Sequence, residues 1–233
     1  MPNRDRPLYA VLIDADNIPA KYAGPILKEI TSFGEPALRR VYGDWSSGQL
    51  KGWADTVRGQ GLVAHQETAN TKGKNASDIG LVIDAMDILH SGRFDGFVLV
   101  SSDSDFTALA NRIREQGLDV IGIGEGKTPE SLRNVCNRFI LIENLIDEPA
   151  PTKSGGGKQS PSDAVPLILT AMEKIEQEDE WYSLGQIGQY IQAEHSDFDT
   201  RTYGQKKLSD LIKTLKRFET RRSGNQLQVR RLD

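Results

Sequence analysis

Residues 97–106 read FVLVSSDSDF: four apolar residues run into Ser101, Ser102, Asp103, Ser104 and Asp105. Phe97 to Val100 have the character of a strand buried on both faces, and burying an unpaired carboxylate beside it costs several kcal/mol or forces protonation. A polar cluster at the carboxyl end of a central parallel strand is where open α/β sheets place their sites. The plainer reading is helix capping, with Ser102 or Ser104 as N-cap and Asp105 in the first turn. Capping accounts for one Ser and one Asp, and leaves the rest unexplained. A second acidic cluster, Asp14-Ala15-Asp16-Asn17, ends the apolar run LYAVLI. A third acid, Asp78, stands just inside a helical pattern, NASDIGLVIDAMDIL, where apolar Ile79, Val82 and Ile83 place it at the border of the buried face. Asp84 lies about 240° round that helix from Asp78 at 100° per residue, so it reads as a structural or solvated carboxylate.

Carboxylates held close repel one another, and a divalent cation between them removes the repulsion. Two such ions about 3.5–4 Å apart can activate water and stabilise both the attacking and leaving oxygens of a phosphodiester. The chain has one cysteine, Cys136, and three histidines, His65, His90 and His195, so a metal here would be held by oxygen, which favours magnesium or manganese. Lys72 and Lys74, in the loop just before Asp78, are candidate phosphate partners; a solvated loop is the alternative.

Elements that could position these residues follow from periodicity. Short apolar runs at 8–13, 37–42, 62–65, 97–100, 120–123 and 139–142 alternate with helical patterns near 19–33, 47–60, 75–90, 104–116 and 129–137. Non-alternating apolar strands between helices predict an α/β fold, a mostly parallel sheet with helices on both faces. The stretch EPAPTKSGGGKQSP, residues 148–161, reads as a flexible linker. It divides a first domain, 7–147, from a second, 162–233. In the second, helices are expected near 162–176, 184–194 and 203–217, the middle one opened by the capping-box pattern Ser183-x-x-Gln186. FETRR and QLQVRR then flank Ser223-Gly224-Asn225 as a hairpin, and three helices before a hairpin predict a winged helix-turn-helix.

The 233-residue chain carries a net charge of −4, against a wholly basic nucleic-acid binder. Its distribution is uneven: residues 201–233 hold ten basic residues against three acidic ones, a local +7. That segment favours nucleic-acid binding, with Tyr203, Lys206, Lys207, Lys213, Arg221 and Arg222 as contacts. Gly122-Ile-Gly124-Glu-Gly126 lacks G-x-G-x-x-G spacing and reads as a turn, beside which Thr128 or Ser131 could reach substrate. Tyr42, Trp45 and Trp53 could stack on bases, though packing is the better account of at least two. Cys136 reads as buried. No apolar run approaches the roughly 18 residues of a membrane helix, and MPNRDRPLYAVLID has no export signal, so a cytoplasmic, non-membrane protein is expected.

Asp14-x-Asp-Asn17, then Lys-Asn-x-Ser-Asp78, then SSDSDF, together with VIGIGEGKTPESLRNVCNRFI, resemble the NYN domain of the PIN-like nucleases. The family pattern has Gly where this chain has Ser102. The resemblance implies a metal-dependent ribonuclease in which Asp14, Asp78 and Asp103 hold magnesium or manganese. Asp105 would be a further ligand or water-orienting acid, and Asn17, Asp16, Ser101 and Ser102 would support them. FDTRTYGQKKLSDLIKTLKRFETRR resembles the OST-HTH or LOTUS domain, a winged helix linked to RNA binding, which implies RNA as partner; a homo-oligomer stays open. The alternative is a non-catalytic RNA-binding regulator using the same surfaces. A third reading, an aspartyl-phosphate phosphatase, meets Asp14-x-Asp16 but not the following Asn17-Ile-Pro.

Overall fold

The structure, a computed structural model, describes residues 5–46, 48–66, 76–146, 159–177, 179–224 and 226–232. The chain forms two compact units, Met1–Pro149 and Ala150–Asp233. In the first, six strands form one sheet: β1 (Leu8–Asp14), β2 (Glu35–Gly43), β3 (Val63–Gln66), β4 (Gly96–Val100), β5 (Asp119–Gly124) and β6 (Arg138–Leu141). All pair in parallel, in the order β3-β2-β1-β4-β5-β6. Every residue of β4 is buried, as an apolar run without alternation requires.

Helices cover both faces. Tyr9, Val11 and Ile13 point to a core with α1 (Ala23–Ile30) and α2 (Lys51–Gln60); Ala10 and Leu12 point to another with α3 (Ala76–His90), α4 (Thr107–Glu115) and α5 (Glu130–Val135). The expected helical spans near 19–33 and 104–116 open instead as short 3-10 turns, Ala20–Tyr22 and Ser104–Phe106. Tyr42 and Trp53 are core residues, and half-buried Trp45 donates from Nε1 to the His65 carbonyl at 2.8 Å. Tyr42 and Trp53 therefore present no free ring to a base. Cys136 is buried, which pushes its thiol up to about 12.

Helix α3 departs from expectation. Its buried residues are Leu81, Ala85, Ile88 and Leu89, while Ile79 and Ile83 are 62% and 59% exposed. Apolar type alone misassigned the inward face, because this helix is apolar on more than one side. Asp84 is structural: it pairs with Arg40 and accepts from the Tyr42 hydroxyl.

In the second unit, α6 (Val165–Lys174) follows a 3-10 turn capped by Ser160, whose hydroxyl accepts from Ser162 N while Asp163 reaches back to Ser160 N. Helix α7 (Leu184–Glu194) and α8 (Leu208–Thr214) complete a helical layer. Ser183 sits at the N-cap of α7 but its side chain makes no capping bond, so the real capping box is one helix earlier. Strands β8 (Phe218–Ser223) and β9 (Gln226–Arg231) form the hairpin, with Gly224 at φ +58°. A two-residue strand, β7 (Tyr182–Ser183), adds to β9, giving the order β7-β9-β8. Ile168, Ile187, Ile191, Leu211, Phe218 and Val229 share one core. This is a winged helix. Among the described residues, no helix is long and apolar enough to cross a membrane.

Candidate active site at the carboxyl edge of the sheet

Strands β1 and β4 are adjacent, and connections leave them toward opposite edges, so the crevice between their carboxyl ends is the sheet's switch point. Asp14 is the last residue of β1, and Asp103 follows β4 by three residues. Both acidic clusters therefore arrive at the place where this strand order leaves room for a ligand.

Asp14 is 1% exposed and held from four directions. Its Oδ1 accepts from the backbone N–H of Asp16 at 3.2 Å and of Asn17 at 3.3 Å. Its Oδ2 accepts from the Asn17 amide at 2.6 Å and the Ser101 hydroxyl at 2.8 Å. Burial raises the Asp14 pKa, the Asn17 and Ser101 bonds oppose that, and neighbouring Asp16 adds to it. Trp53 steadies the turn, donating from Nε1 to the Ile18 carbonyl at 2.8 Å. Buried Ser101 also accepts from Asp103 N at 3.1 Å, so one hydroxyl ties the two acidic segments together.

The helix-cap reading of SSDSDF falls on a different residue from the two serines considered. Asp103 is the N-cap: its Oδ1 accepts from Asp105 N at 2.9 Å. Ser102 instead accepts from Glu125 N at 2.9 Å, fastening the loop after β5. That loop demands glycine at 124, where a Cβ would stand 2.7 Å from both the Ser101 carbonyl oxygen and Thr128 Oγ1. Thr128 is buried and bonded to the Glu125 carbonyl, so it faces no substrate; Ser131 is exposed. Glu143 was not singled out from sequence. Its Oε1 accepts from Gly126 N at 2.9 Å, and its other oxygen is buried without a partner. Only the preceding strand's carboxyl end hinted at it.

Asp78 lies in the first turn of α3. Partial burial, then repulsion from Asp14, Asp103, Asp16 and Asp105 in that order, push its carboxyl up to about 6. Acids from three segments thus share one electrostatic neighbourhood. Asp16, Asn17 and Asp105 are exposed around it. Lys72 and Lys74 lie outside the described residues.

A hard divalent cation fits this donor set in kind: carboxylates, a hydroxyl and an amide oxygen, with mutual repulsion for a cation to relieve. As the side chains stand, no group of three or more His, Cys, Asp or Glu among the described residues converges to hold an ion.

In the second unit, Lys206, Lys207, Lys213, Arg221 and Arg222 are exposed. Tyr203 is not available to nucleic acid: it is 8% exposed, packed in the core with its ring 5.8 Å from that of Phe198. An aromatic ring between two helices closed the core rather than the surface.

The family model of the NYN domain matches residues 9–143, and that of the OST-HTH/LOTUS domain matches residues 158–229. No curated protein matches the chain. Among solved structures, the chain is similar to a protein of unknown function, VPA0982, from Vibrio parahaemolyticus. Identity is 20% over 63% of this chain and 99% of that one, with a TM-score of 0.53, a likeness of fold alone. Acinetobacter baumannii MurG aligns at 12% identity over 82% of this chain and 65% of that one, with a TM-score of 0.40. With more than half of its length matched by one family and the remainder of the matched sequence by another, the chain belongs to the NYN family and carries an OST-HTH/LOTUS domain behind its NYN domain.

Proposed function

We propose that this protein is a metal-dependent endoribonuclease of the cytoplasm whose first domain hydrolyses RNA phosphodiester bonds and whose second recruits the RNA. The observation that supports this reading is that Asp78, its carboxyl pushed up to about 6 by partial burial first and then by repulsion from Asp14, Asp103, Asp16 and Asp105, shares one electrostatic neighbourhood with the acids at the switch point.

Asp14, Asp78, Asp103 and Asp105 would hold magnesium or manganese. When bound, the cation would supply charge neutralisation and activation of water for attack on phosphorus. The chain's own residues do the positioning. The Asn17 amide and Ser101 hydroxyl orient the Asp14 carboxylate. Ser101 fixes the backbone at Asp103, and Asp103 in turn fixes Asp105. Asp16 and Asp105 are exposed at the rim of this edge. Asp14, which accepts from four donors, would hold an ion by giving up part of that cage, most simply the Asn17 amide.

A second reading, an RNA-binding regulator without turnover, draws on that cage and on the lack, among the described residues, of three carboxylates placed to hold an ion. Labelled single-stranded RNA incubated with manganese separates the two. The nuclease reading expects cleavage that EDTA abolishes and excess manganese restores. Binding without cleavage at any magnesium or manganese concentration would overturn it.

A further inference from the structure

The wing of the second unit has an outward face with its own chemistry. On β8 and β9, Val229 is buried and pairs with Thr220, so the alternate pairs Glu219 with Arg230 and Arg221 with Gln228 face away from the core. Trp181, just before β7, lies on that same face. The Arg221 guanidinium is 4.1 Å from its ring centroid and that of Arg230 is 4.8 Å away. Such a cluster of one indole and two guanidiniums is more than hairpin stability requires, because a solvated wing is held by its ladder and by Val229. The two cations are not equivalent. Arg230 is committed to Glu219 at 2.5 Å and Glu180 at 3.5 Å. Arg221 is exposed and donates to a neutral acceptor, Gln228 at 2.8 Å, with no ion pair to a carboxylate among the described residues.

We propose that this sheet face binds single-stranded RNA, one base stacking on the Arg221–Trp181 platform. The proposal rests on the RNA-recruiting role given above to the second domain. Every base has a π face that can stack on an aromatic ring or a guanidinium plane, so the contact tolerates sequence but requires unpaired bases. A duplex hides those faces and can engage only the charges. The single-strand preference therefore belongs to the sheet, whereas Lys206, Lys207 and Lys213 around α8 offer charge to either form. Nothing in the run of sequence marked Trp181: it sits in the acidic context EDEWYS, and only the hairpin brings basic residues to it.

The test uses the full chain in EDTA, where turnover does not interfere, with a fluorescein-labelled RNA 12-mer and its duplex read by anisotropy. Trp181→Ala is expected to weaken single-strand binding about tenfold or more and duplex binding less than about twofold, with Trp181→Phe retaining most of the affinity. Arg221→Lys keeps the charge and removes the plane. It is expected to lose single-strand affinity several-fold at an unchanged salt slope, and it answers the question even if Trp181→Ala unfolds the wing. Equal losses for single strand and duplex, or full single-strand affinity in both Arg221→Lys and Trp181→Ala, would overturn the stacking site. Absence of any RNA binding by the wild type would overturn the recruiting role itself, and cleavage in manganese is scored separately from both.

Discussion

Replacing Asp78 with Asn is expected to make the metal-free protein more stable while removing its activity. A carboxyl that titrates near 6 instead of 3.8 carries roughly 3 kcal/mol of desolvation and repulsion in its ionised form. Asp78 is only half-buried, so screening leaves about half of that. Its place in the first turn of α3 works the other way, by about 0.5 kcal/mol, because a helix N-terminus favours negative charge. The net gain on neutralisation is about 1 kcal/mol, or a rise of roughly 3–5 °C in Tm for a domain of this size. The pH dependence follows from a folded-state pKa above the unfolded one. The proton is bound more tightly in the fold, so the wild type is relatively most stable below about 4 and loses that advantage as pH rises through 6. The gain from Asp78→Asn should therefore be absent near pH 4, grow between 4 and 6, and level off above. Thermal unfolding in EDTA across pH 4 to 8 reads it directly. Added manganese should then raise the wild-type Tm and leave the variant's nearly unmoved. If Asp78→Asn instead destabilises the protein equally at pH 4 and pH 8, Asp78 is a structural acceptor and the crowding argument fails.

Asp14→Asn should behave in the opposite sense. Its carboxylate accepts four hydrogen bonds, and an amide NH₂ would face two donors, costing about 1–3 kcal/mol; denaturant unfolding at pH 7 checks this. Asp84→Ala should destabilise by about 3 kcal/mol, since it strands Arg40 and the Tyr42 hydroxyl, yet folded variant protein should still cleave RNA at the wild-type rate. Gly124→Ala should cost about 1–3 kcal/mol because the new methyl meets the Ser101 carbonyl, and cleavage should fall with it as the Ser101–Asp14 bond shifts. Removing residues 150–233 should weaken RNA binding and reduce the slope of log affinity against log salt, measured by anisotropy in EDTA.

The central strands β1, β4 and β5 were legible because parallel strands buried on both faces leave uninterrupted apolar runs, and FVLV and YAVLI have no other economical home. The strand order, and with it the meeting of Asp14 with Asp103, was not: no local pattern says that β4 lies beside β1. Position at a strand's end pointed to the acids, but not to the hydroxyl of Ser101 bridging them, which depends on sheet register. Where apolar type was used as a proxy for burial it failed at Ile79 and Ile83, and aromatic type used as a proxy for exposure failed at Tyr203. Both errors came from reading one residue without the surface it packs on. The +7 segment revealed basic charge, whereas the platform it helps build needed Trp181, brought in by the β7–β9 pairing from an acidic stretch.

The most direct test sets wild type beside Asp103→Asn, with labelled single-stranded RNA in manganese, following cleavage and binding in the same samples. Asn at 103 can still cap Asp105 N through its amide oxygen, so the local turn is preserved. The account expects RNA affinity within about twofold of wild type and a rate lower by about two orders of magnitude or more. Equal cleavage by the two proteins would show that the carboxyl edge of this sheet does not carry the chemistry.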